Sequence, residues 1–145
     1  MKRFSQCVCL LLVIVIFLTT SAFAAEEVMP RASSFFGGSS VYLWKTSDTT
    51  FQVWFDVKAL SSMEELGASV IKVQRSADGE NWLTMRTYTK ENYPNMICKN
   101  TVTHVDCVSY NTATQGYYYR AYIVLYAKNS TGTGLLNRYT ASIKL

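Results

Sequence analysis

Between Gly116 and Lys128 the chain repeats with period two, and that run restricts its fold more than any other feature. Tyr117, Tyr119, Ala121, Ile123, Leu125 and Ala127 alternate with Tyr118, Arg120, Tyr122, Val124, Tyr126 and Lys128. A helix would scatter these two sets around its circumference, whereas a strand sends them to opposite faces. The first set is the core side. The second carries three tyrosines and two cations on the outward side, at positions about 7 Å apart.

The same period recurs along the chain. Phe51, Val53, Phe55 and Val57 alternate with Gln52, Trp54, Asp56 and Lys58, and Val70–Ser76 places Ile71 and Val73 inward. Ala77-Asp78-Gly79-Glu80-Asn81 supplies a hairpin turn that returns the chain through a strand at Trp82–Thr89. Val41–Leu43 reads as a short opening strand and Thr101–Tyr110 as a β-branched one. Arg138–Leu145 closes the chain with Tyr139, Ala141, Ile143 and Leu145 inward. Glu91–Asn100 reads as a loop in which Pro94 bars a central strand, and Asn129–Gly134 as a turn.

One segment breaks the pattern. Ser61/Glu64 and Ser62/Glu65 form overlapping capping boxes with Gly67 at the stop, so Ser61–Gly67 predicts a single helical turn bridging two sheets. Seven short strands and one short helix predict an all-β, seven-stranded sandwich.

Residues 1–25 read as a secretory signal peptide. Lys2-Arg3 precede the apolar run Val8–Leu18, and Ala22-Phe23-Ala24 gives a small-x-small cleavage pattern before Glu26-Glu27. The run is too short to serve as an uncleaved anchor, so cleavage is expected, with no stable membrane anchor after it. Glu26–Ser40, with Pro30 and Gly37-Gly38, reads as a flexible leader ahead of a domain at 41–145. Cleavage removes Lys2 and Arg3, lowering the formal charge from +4 to +2. So small a charge, without any Lys/Arg run, excludes nucleic acid as the expected partner.

Cys7 and Cys9 leave with the signal, so Cys98 and Cys107 are the pair left in an exported chain. They are expected to form a disulfide, with two unpaired thiols as the alternative. His104 and Asp106 share a strand face, but no serine elbow accompanies them as a hydrolytic triad requires. Cys98, His104, Asp106 and Cys107 match no usual zinc spacing, and no glycine-rich loop opens a helix after a strand. The expectation is a non-enzyme without metal or cofactor.

The stretch Val73-Gln74-Arg75-Ser76-Ala77-Asp78-Gly79-Glu80-Asn81-Trp82 resembles the third-to-fourth strand hairpin of fibronectin type III modules. Tyr117–Gly132 is similar to that family's sixth strand, ending in Ala127, Asn129 and Gly132 where the family has an alanine, asparagine and glycine turn. The resemblance implies an immunoglobulin-like, fibronectin type III-like topology for the all-β, seven-stranded sandwich, and a buried corner tyrosine, a role open to Tyr117 or Tyr119. No Arg-Gly-Asp sits in the Gly132 turn, so integrin-type adhesion is not implied. The whole chain also resembles a group of short secreted proteins of Gram-positive bacteria, which implies export and size and carries no known activity.

The candidate site is therefore the outward face of the long strand: Tyr118, Arg120, Tyr122, Tyr126 and Lys128. Sandwich topology sets Lys72 and Gln74 beside it, with Arg86 or Tyr88 farther out. Tyrosine and arginine are favoured at recognition surfaces, so the expected partner is an extracellular polysaccharide or protein. An outward tyrosine ladder also stabilises a sheet without any ligand. A structural or self-assembling extracellular protein is the alternative, and a small secreted enzyme or enzyme inhibitor the third. Trp54 is a second outward aromatic, expected in the opposite sheet under the leader or a loop.

Overall fold

The computed structural model describes residues 34–145; residues 1–25, read above as a signal peptide, and residues 26–33 of the expected leader lie outside the described residues. Seven strands follow in order: β1 (Phe36–Lys45), β2 (Phe51–Ser76), β3 (Leu83–Thr89), β4 (Ile97–Tyr110), β5 (Tyr118–Asn129), β6 (Gly132–Tyr139) and β7 (Ile143–Lys144). A 3-10 turn at Pro94–Met96 precedes β4. The strands form one all-β, antiparallel, curled sheet. Among the described residues no helix is long and apolar enough to cross a membrane.

β2 organises everything else. Its first half pairs with β1 on one side and β4 on the other, and its second half pairs with β5 and β3. Between Lys58 and Met63 the register with β4 slips, and such an irregularity bends a strand. The bend turns the apolar sides of the two halves toward one core. Phe51 in the first half packs its ring 5.3 Å from Tyr119 on β5 and 5.3 Å from Tyr110 on β4. Phe51, Val53, Phe55, Val57, Leu66, Ile71, Val73, Tyr119, Ile123 and Leu125 are all sealed from solvent. All of these except Leu66 are positions the period-two pattern places inward.

The expected helix at Ser61–Gly67 is instead part of β2. Leu66 and Gly67 pair with Cys98 and Ile97 of β4 on one side, and with Ala127 and Tyr126 of β5 on the other. Two ladders and the burial of Met63 and Leu66 outweigh capping signals worth about 1 kcal/mol each, on a turn too short to be stable alone. Gly67 is there for space. Its φ is +156°, and a Cβ would collide with the Met96 carbonyl.

Three further expectations are corrected. β1 starts at Phe36, so the end of the segment read as leader is a strand, with Ser40 opposite Asp56. The closing strand divides in two at Thr140, whose Oγ accepts from the Ala121 backbone N–H at 2.9 Å in place of a strand partner. That break shifts the alternation, and Tyr139 faces outward, 55% exposed. Seven strands result either way, because two expected strands merge in β2 while the last one splits.

The third correction is the disulfide. Cys98 and Cys107 are both free and stand on the same strand, β4. Nine positions of an extended strand put them roughly 20–30 Å apart, against about 4–7 Å between the Cα atoms of a bridged pair.

Candidate functional site

The outward face of β5 is built as the sequence predicts, and its neighbours complete it. β2 brings Gln74 opposite Arg120, Lys72 opposite Tyr122 and Glu65 opposite Lys128. β6 brings Tyr139 opposite Tyr122 and Leu135 opposite Tyr126, while β7 sets Lys144 opposite Tyr118. Lys72 and Gln74 therefore lie where the expected topology puts them. Arg86 and Tyr88 do not join this face, because they pair with the inward residues Val73 and Ile71. Tyr88 is buried in the core.

Arg120 is the centre of the site. Its guanidinium carbon lies 4.2 Å from the Trp82 ring and 4.7 Å from the Tyr139 ring, and its Nε donates to Gln74 Oε1 at 2.8 Å. Tyr122 leans on Tyr139 with ring centroids 5.0 Å apart. The planar guanidinium is thus held between two aromatic faces, a setting Arg fills and Lys does not. Tyr139 and Leu135 remain half exposed at 55% and 50%.

The three strand tyrosines are each met by a cation. Lys144 Nζ is 5.1 Å from the Tyr118 ring, Lys72 6.0 Å from Tyr122 and Lys90 4.0 Å from Tyr126. Lys90 also pairs with Glu65 at 3.5 Å. Lys128 is exposed at the end of the row. The side chains missing from the sequence reading are Trp82, Lys90, Tyr139 and Lys144. Trp82 lies immediately beyond the hairpin turn, so its reach over Arg120 depends on how that turn folds. Asp78 sets it, accepting from Ser76 Oγ at 2.7 Å, from the Glu80 and Asn81 backbone N–H groups at 2.9 and 2.8 Å, and from Asn81 Nδ2 at 2.7 Å. These bonds, the one from Ser76 foremost, hold the Asp78 carboxyl far below the usual carboxylate range.

The residues considered for catalysis or metal binding are engaged elsewhere. His104 Nε2 lies 2.9 Å from the Asn95 carbonyl oxygen, and its ring meets Phe55 edge-on. Asp106 accepts from the Cys107 backbone N–H at 2.8 Å. Burial, with the Asp106 carboxylate beside it, pushes the Cys107 thiol up. Among the described residues no three His, Cys, Asp or Glu side chains are grouped as a metal site. Trp54 faces outward as expected, half-buried beside Tyr42 of β1.

No protein-family model matches the chain, and no curated protein matches it in sequence.

Proposed function

We propose that this chain is a secreted, non-catalytic binding module that docks a protein surface through the outward face of β5. The observation that carries the reading is Arg120 held between Trp82 and Tyr139, with Tyr122 against the latter. Trp, Tyr and Arg dominate the energetically important centres of protein interfaces, and a cluster already fixed loses little freedom on docking. A sugar ring stacking here would first have to displace the cations that lie against Tyr118, Tyr122 and Tyr126. That favours a protein over a polysaccharide on this face.

We infer further that the fold is a fibronectin type III-like sandwich. In support, β1, the first half of β2 and β4 make one side, and β3, the second half of β2, β5 and β6 the other. The buried Tyr119 hydroxyl accepts from the Thr114 backbone N–H at 2.7 Å, five residues upstream near the start of β5. This is the arrangement of a tyrosine corner in such sandwiches.

Self-assembly is the second reading. β1, β3, β4 and β6 each pair along one edge only, and open edges can recruit a second copy. The test is capture of partners from an extracellular fraction on immobilised chain, beside an Arg120→Ala/Tyr139→Ala variant shown to be folded by circular dichroism. Selective loss of a captured protein in the variant supports the reading, and identical capture overturns it. Concentration-dependent mass in light scattering, in wild type and variant alike, would favour edge-to-edge self-assembly instead.

A further inference from the structure

The other side of the molecule carries aromatic rings that the β5 face does not explain. β1, β2 and β4 lie side by side there, and the register aligns Trp44 with Gln52 and Ser109, and Tyr42 with Trp54 and Cys107. Their neighbours in sequence point the other way: Val41 and Leu43 pack against the core. Trp44 is 60% exposed and Tyr42 45%, so folding has left large apolar rings in water, an unfavourable use of tryptophan unless something covers it.

Two of the rings, Tyr42 and Trp54, are held in place. The Trp54 indole N–H donates to Gln52 Oε1 at 3.0 Å, which fixes the indole along the strand. The Tyr42 ring lies parallel to it within 3°, with centroids 6.2 Å apart. Stacked in this way, the two rings each turn one face toward the other.

Past the rings the face carries more polar groups. The next outward positions are Ser40 beside Asp56, with the exposed Val105 on the far side of Asp56, then Gly38 beside Lys58 and Thr103. Ser40, Asp56, Gly38, Lys58 and Thr103 line a shallow depression of about 380 Å³. Gly38 borders open space, where a Cβ would meet no heavy atom within 4 Å.

We propose that this face binds a neutral polysaccharide, separately from the β5 face. The C–H face of a pyranose ring is apolar and its hydrogens carry slight positive charge, which matches the negative face of an aromatic ring. Successive sugars stack on Trp44, Tyr42 and Trp54. Hydroxyls of the same chain reach the depression, where Asp56 accepts, Lys58 donates, and Ser40 and Thr103 do either. Charge complementarity selects a neutral polymer. The aromatic rows carry no ion, Lys45 and Asp48 at the strand end bind each other at 2.9 Å, and Asp56 and Lys58 offset one another in the depression. An anionic polymer would meet Asp56, and a cationic one Lys58.

The test is sedimentation of the full chain with particulate cellulose and chitin, and its retardation in gels containing soluble β-glucan or galactomannan. Retention by at least one of these polymers is expected, undiminished in about 0.5 M salt because stacking is not screened. Trp44→Ala and Tyr42→Ala should weaken it tenfold or more. Both side chains are exposed, and thermal melting checks that the variants fold. Trp54→Phe keeps a ring and should retain part of the binding. Tyr139→Ala, on the β5 face, should leave it unchanged, so failure of one site is distinguishable from failure of the other. Retention by none of the four polymers would overturn the proposal. So would equal retention by folded Trp44→Ala and Tyr42→Ala, or retention abolished by salt.

Discussion

The Tyr88 hydroxyl donates a hydrogen bond to the Ser109 carbonyl oxygen at 2.8 Å. Tyr88 belongs to β3 and Ser109 to β4, strands that flank the same side of β2 beyond and before its bend, so this bond crosses from one half of the curled sheet to the other. Tyr88 is buried, and removing its hydroxyl leaves a carbonyl without its partner. Tyr88→Phe should cost about 1–1.5 kcal/mol. Urea denaturation checks it: the midpoint should fall with an unchanged slope. A midpoint equal to that of the wild type would show that the crossing bond adds no net stability.

Gly67→Ala tests the close approach between β2 and the Pro94–Met96 turn. The added Cβ meets the Met96 backbone carbonyl, which cannot rotate away as a side chain would. A loss of about 3 kcal/mol is expected from overpacking and an unfavourable φ combined. Gly38→Ala, where the same probe meets open space, is the control and should change stability by less than about 0.5 kcal/mol.

Acid should loosen the Asp78 turn. The native carboxyl is held below its ordinary value of 3.8, so the unfolded chain takes up the proton first as pH falls. The contribution is therefore complete above about pH 4 and declines as pH drops through the native value. Asp78→Asn should be less stable than the wild type at pH 6, and the gap should shrink below pH 4. Melting temperatures across that range decide it, and a constant gap would count against the carboxylate.

Cys98 and Cys107 should both be thiols in the folded protein. Alkylation without reductant in denaturant, followed by peptide mass mapping, should find both modified. In the native state Cys107 should react slowly at pH 8, because burial holds its thiol up and the thiolate is the reacting form. A linked Cys98–Cys107 peptide would contradict the separation along β4.

Replacing Arg120 by Lys keeps the charge and removes the fork. The Gln74 bond and the stacking on Trp82 and Tyr139 are lost together, at a cost on the order of 1 kcal/mol. Thermal melts of Arg120→Lys beside Arg120→Ala check this: the two should fall by similar amounts. A Lys variant as stable as wild type would mean that charge alone suffices.

Period-two alternation made β5 legible, including which of its residues are sealed and that Lys72 and Gln74 lie next to Tyr122 and Arg120. What it could not show depended on partners distant in sequence. Ser61–Gly67 carries sound local helix signals, and only the ladders from Cys98 and Ala127 override them. Tyr139 was placed in the wrong phase because Thr140 interrupts the strand through a side-chain bond to Ala121. Compartment and cysteine count favour a disulfide, and neither carries the information that Cys98 and Cys107 stand nine positions apart on one strand, β4. At the candidate site, Trp82, Lys90 and Lys144 arrive from a turn, a loop and the last strand, and no spacing along the chain marks them. Tyr42 and Trp44 were nearer to hand, since an inward Val41 and Leu43 oblige their neighbours to face water.

The length of β2 bears on how this protein comes apart. One uninterrupted segment is the central strand on both sides of the core, so neither side can be released while the other stays whole. Amide hydrogens of Val53 in its first half and Ile71 in its second should exchange only in the same global event, with equal protection. A chain cut within Ser61–Ser62, though at the surface, should lose both sides together.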